Sequence, residues 1–127
     1  MPREIEFVVV DPDGDALAAS EASEGLLEEL DRLAFDRLDR ATTTTDERGT
    51  RSGTVAVVGT LVGIVSSPAV MRGAVEVVKS WLVRRERGTV KITCGEDVLE
   101  LNAVSKSQQE ALVQAFLDRH AAEIDTD

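Results

Sequence analysis

Apolar and polar residues change their period several times along the chain, and each change marks an element. From Glu4 to Val10 they alternate, with Ile5, Phe7 and Val9 on one side, which predicts a strand. Asp11-Pro12-Asp13-Gly14-Asp15 breaks it. The apolar spacing then lengthens towards 3.6 residues. Leu26, Leu27, Leu30, Leu33, Ala34 and Leu38 form a stripe that predicts a helix, capped by Ser20 or Ser23. Glu21, Glu24, Glu28 and Glu29 crowd its N-terminal part, where the helix dipole favours anions. Ala41 to Thr45 is β-branched and predicts a short strand, followed by a polar, flexible connection over Asp46 to Gly53.

Ser52 to Met71 is a run of 20 uncharged residues. Its length meets the roughly 20 residues of a membrane span, and Gly59 and Gly63 have the spacing of close helix contacts. Ser52, Thr54, Thr60, Ser66, Ser67 and Pro68 argue against a span. The densely apolar part, Val55 to Val65, suits a buried core helix better, and a Gly-rich apolar helix is predicted over Gly53 to Ser66. Ser67 as cap and Pro68 at the first helical position start a second helix. It runs to about Arg87 and buries Val70, Ala74, Val77, Val78, Trp81 and Leu82, with Gly88 ending it.

A hairpin follows. Val90, Ile92 and Cys94 alternate with Lys91 and Thr93, and Leu99 and Leu101 with Val98 and Glu100. A two-residue Gly95-Glu96 turn sets Cys94 against Asp97, Ile92 against Leu99 and Val90 against Leu101. The last helix opens at the capping box Ser105-Lys106-Ser107-Gln108 and presents Leu112, Val113, Phe116 and Leu117. Residues 121–127 are expected to fray. The pattern predicts one α+β domain over 1–127, a four-stranded sheet packed with helices, in the order β-α-β-α-α-β-β-α.

Composition narrows the class. Of 127 residues 43% are hydrophobic and 30% charged, the balance of a folded globular chain. The net charge of −10 is unevenly placed. Residues 1–50 carry 14 acids against 5 bases, residues 51–94 carry 7 bases against 2 acids, and residues 95–127 carry 8 acids against 2 bases. A net acidic surface repels phosphates and argues against nucleic acid as a partner. One cysteine excludes an internal disulfide and a cysteine-rich metal site. The opening MPREIEFVVV reaches charge at once, unlike a signal peptide, so a cytoplasmic location is expected.

Candidate chemistry is sparse. Asp11, Asp13 and Asp15 alternate like the start of an EF-hand loop, but the positions that need Gly and Glu hold Ala16 and Ala22. A nucleophilic pair would have to use Cys94 and His120, the single thiol and imidazole. Cys94 falls on the inward face of a strand and His120 near a helix end, so structural roles are expected for both. No metal, cofactor or catalytic residues are assigned. Arg84, Arg85 and Arg87 at the end of the long helix, with Lys91 on the next strand, are the candidate protein-binding residues.

The second half also resembles a known family. A Gly-rich apolar segment (Gly53 to Ser66) is followed by a helix ending Val78-Lys79-Ser80-Trp81-Leu82-Val83-Arg84-Arg85. Next come the hairpin Val90-Lys91-Ile92 to Leu99-Glu100-Leu101 and a closing segment Leu112-Val113-Gln114-Ala115-Phe116-Leu117-Asp118-Arg119-His120. This order is similar to the small actinobacterial proteins called effector-associated constant component. The resemblance implies a noncatalytic adaptor or regulatory accessory protein of a bacterial conflict system. Its partners would be peptidase effectors or signalling NTPases. It carries over no catalytic residues. The alternatives are a membrane-associated component using segment 52–71 and a small hydrolase using Cys94 or a carboxylate pair.

Overall fold

The computed structural model describes residues 3–45, 53–103 and 106–125. The elements are β1 (Arg3–Val10), α1 (Ala16–Leu30), β2 (Arg37–Thr45), β3 (Gly53–Val65), α2 (Pro68–Arg85), β4 (Thr89–Cys94), β5 (Asp97–Asn102) and α3 (Lys106–Asp125). The fold is α+β. Its antiparallel sheet has five strands, in the order β2-β3-β1-β4-β5.

Two expectations are corrected by β3. The segment Gly53 to Ser66 is a strand rather than a helix, so the order is β-α-β-β-α-β-β-α and the sheet gains a fifth strand. The residues explain why. Val, Thr and Ile fill the run, and β-branched side chains pack well on a pleat. Four is an even number, so Gly59 and Gly63 share a face in a strand as they do on a helix. Leu61 and Val65 lie on that same buried face. Gly63 leaves room for Phe35, because a Cβ there would stand 3.0 Å from its ring. Phe35 in turn meets Phe7 edge-on, with centroids 6.4 Å apart.

The first helix also differs from its expected bounds. Asp15, not Ser20 or Ser23, is the N-cap, its carboxylate accepting from the amides of Leu17 and Ala18. Ser23 is buried and donates to the Ser20 carbonyl. The helix stops at Leu30, and Leu38 belongs to β2, which starts four residues before Ala41. Phe35 and Leu38 nonetheless pack on the core, so the apolar spacing past Leu30 records a turn and a strand covering one surface.

All three helices cover one face of the sheet. Ile5, Phe7, Val9, Leu61, Val65, Val90, Ile92, Cys94, Leu99 and Leu101 supply its buried side. Ala22, Leu26 and Leu30 of α1, Met71, Ala74, Val75, Val78, Trp81 and Leu82 of α2, and Val113, Phe116 and Leu117 of α3 close over it. The buried stripe of α2 includes Met71 and Val75, with Val70 and Val77 at its margin. Ser67 is its N-cap and Pro68 opens it, without a side-chain cap bond. The C-cap is Glu86 in the left-handed conformation (φ 60°), so α2 ends before Arg87.

The hairpin has the expected register: Cys94 opposes Asp97, Ile92 opposes Leu99, and Val90 opposes Leu101. The connection over 46–52 and the Ser105 cap lie outside the described residues. The helical backbone of α3 continues to Asp125, past Ala121, where the pattern predicts fraying.

Candidate functional site

Arg84 and Arg85 end α2 and Arg87 follows its C-cap; all three are exposed, and each meets a group of this chain. Arg84 reaches the Glu29 carboxylate of α1 and, through Nε, the Ser80 carbonyl at 3.4 Å. Arg85 lies over the Trp81 ring, 4.8 Å from its centroid. Arg87 Nη2 is 3.1 Å from Asp13 Oδ2 and 3.7 Å from Asp11 Oδ1. The Asp11–Asp15 turn is therefore a structural knot. Asp11 accepts from the Asp13 and Asp15 amides, Asp15 caps α1, and Arg87 offsets the crowded negative charge. Lys91 is exposed on the other face of the sheet, between Val8 and Glu100. The structure thus engages the three arginines with three different partners, Arg84 beside one hollow and Arg85 and Arg87 beside another, and separates Lys91 from them.

A groove of about 330 Å³ opens beside Arg84, where α2 passes the end of β5 and the start of α3. Leu82 and Leu101 are buried at its floor, and Ser80, Val83, Arg84 and Glu110 stand around it. Val83 is 44% exposed there. The sequence signal for this groove is slight: Val83 sits one position off the buried stripe of α2.

A second cluster joins residues far apart in sequence. Asp97, at the start of β5, takes Arg119 through Nε at 2.8 Å and Nη2 at 2.6 Å, and His120 Nε2 at 2.8 Å. An ionised carboxylate only accepts, so His120 donates. These bonds, His120 first and Arg119 second, hold the Asp97 carboxyl below its ordinary pKa. His120 is buried and its ring lies 4.6 Å from that of Phe116. Its place is the inner face of α3, five residues before that helix ends, rather than a helix terminus. Cys94 is buried nearby, with Arg3 Nη2 3.8 Å from its sulfur. Cys94, Asp97 and His120 border one open depression. Among the described residues no group of three or more His, Cys, Asp and Glu could hold a metal ion.

No family model, no curated protein and no solved structure matches the chain.

Proposed function

We propose that the chain is a noncatalytic adaptor or regulatory module that binds a protein partner, with the groove between α2, β5 and α3 as the contact surface. The observation that carries this reading is Val83, an exposed apolar side chain at the wall of a groove with a buried Leu82–Leu101 floor and charges at its rim. A concave apolar site with a few polar groups is the usual form of a binding surface. The resemblance over residues 53–120 points to a peptidase effector or a signalling NTPase of a bacterial conflict system as the partner. The membrane alternative rested on a helix over 52–71. From Gly53 on, that segment is β3, the Ser66-Ser67 link and the first turn of α2, and among the described residues no helix is long and apolar enough to cross a membrane.

The test is binding to proteins encoded by adjacent genes. Val83→Asp is expected to abolish capture of the partner while circular dichroism and melting stay near wild type. Cys94→Ala is expected to leave binding and biological activity intact, since a buried thiol behaves mainly as a small apolar group. Full binding by Val83→Asp would remove the groove from the reading. Loss of activity in a folded Cys94→Ala would favour a hydrolase.

A further inference from the structure

The sheet ends in two different edges. At β5 the charged residues are Asp97 and Glu100, both negative. Asp97 is taken by Arg119 and His120, and a two-fold axis at Glu100 would set two carboxylates against each other. The β2 edge is of mixed sign: it opens Arg37-Leu38-Asp39-Arg40, preceded in the chain by Asp36 and followed by uncharged Ala41 to Thr45. Edges that avoid pairing commonly carry charge that repels a second copy. This pattern does the reverse, because its charges are antisymmetric about Leu38.

We propose that the chain dimerises through β2, with the two strands antiparallel about a two-fold axis at Leu38. In that register Arg37 faces the partner's Asp39, Asp39 faces the partner's Arg37, and Leu38 faces the partner's Leu38. The contact is isologous and closes after two copies. Within β2 the two strands overlap over Arg37, Leu38 and Asp39, because the strand begins at Arg37. The monomer is arranged for it. Arg37 and Asp39 are 78% and 60% exposed, with Arg37 Nε 2.8 Å from Asp39 Oδ2. They stand on the sheet face away from α1, α2 and α3, opposite Ile64 and Val62. A hollow of about 570 Å³, lined in part by Glu4, Ala41, Val62 and Ile64, lies beside them and leaves room for a second pair of long side chains. Leu38 lies on the helix side of the strand against the core, and Arg40 is held towards α1 by Glu24 Oε1 at 2.9 Å and Ser20 Oγ at 2.8 Å. A second copy is the fitting occupant because the charge order is its own complement.

Sedimentation equilibrium of the full chain at about 0.15 M salt, where the Debye length is roughly 8 Å, tests this. Wild type is expected to show a monomer–dimer equilibrium. Arg37→Asp sets two carboxylate pairs across the axis, and Asp39→Arg sets two guanidinium pairs. Each should weaken dimerisation by about tenfold or more, given the size of cross-strand charge effects. The double swap Arg37→Asp/Asp39→Arg restores both pairs and should recover the wild-type constant. A mixture of the two single variants should form a heterodimer. Both positions are at the surface, so folding is checked by circular dichroism alone. A wild type that stays monomeric, single variants that dimerise normally, or a double swap that does not recover would each overturn the proposal.

Discussion

His120 Nε2 lies 2.8 Å from Asp97 Oδ2, tying the inner face of α3 to the first residue of β5. Arg119 adds two further bonds to the same carboxylate oxygen. The folded Asp97 therefore has a lowered pKa, and the unfolded chain has the ordinary value of about 3.9. The sign follows: this contribution is present above the unfolded value and is lost as pH falls through the folded one. Asp97→Asn should destabilise the protein by about 1 kcal/mol at neutral pH. Urea titrations should show that gap closing in acid. A gap that persists below the folded value would mean that the charge is not what matters.

Gly59 and Gly14 share a positive φ, 74° and 73°, in different surroundings. A Cβ at Gly14 meets nothing within 4 Å, whereas at Gly59 it would stand 2.7 Å from the Val9 carbonyl oxygen. Gly14→Ala should cost about 1 kcal/mol, the left-handed strain alone. Gly59→Ala should cost about 2–4 kcal/mol, because β3 must also move off β1. Equal melting temperatures for the two variants would show that strand contact at Gly59 adds nothing.

Asp15 and Ser20 separate two readings of where α1 begins. Asp15→Ala removes the acceptor for the Leu17 and Ala18 amides and should cost about 1 kcal/mol. Ser20→Ala removes a hydroxyl that accepts from Arg40 and should cost less, within about 0.5 kcal/mol. Denaturant midpoints decide it. A larger loss at Ser20 would return the cap to the serine.

The elements that were legible in sequence are those whose period has one interpretation. The β4–β5 alternation around Gly95-Glu96 reached the register observed, because a one-residue slip would expose Ile92 and Leu99 together. The run at 53–66 has two interpretations: glycines four apart share a face in both a helix and a strand, and no charge interrupts the apolar residues to show a period. Neither period is favoured by the residues, so β3, and with it the partner of the threonine strand, is not legible there. Of the sites, the arginine trio was visible as a charge run. Its carboxylate partners were not, since Glu29 and Asp13 precede the arginines by more than 50 residues. His120 continues the spacing of Val113, Phe116 and Leu117, so its inward direction was available from the helical period. What it meets depends on the tertiary packing of α3 on β5, which no local pattern contains.

Arg84 meets Glu29 of α1, so reversing its charge has two separable effects. Arg84→Glu places two carboxylates together and should destabilise by about 0.5–1 kcal/mol, the range of a partly exposed pair. Adding Glu29→Arg restores an opposite pair with its polarity exchanged, and stability should return. Partner binding should behave differently if Arg84 also serves the groove it borders. A charge at the rim acts mainly on the encounter rate, so association of Arg84→Glu with a protein encoded by a neighbouring gene should be slower and less dependent on salt. The double variant should keep that slow association despite its recovered stability, because its positive charge now stands on α1 rather than on the groove. Association rates of the three proteins at low and high salt make the comparison. A double variant that associates at the wild-type rate would confine Arg84 to holding α1 against α2, and the partner contact would then rest on Val83 and the groove floor.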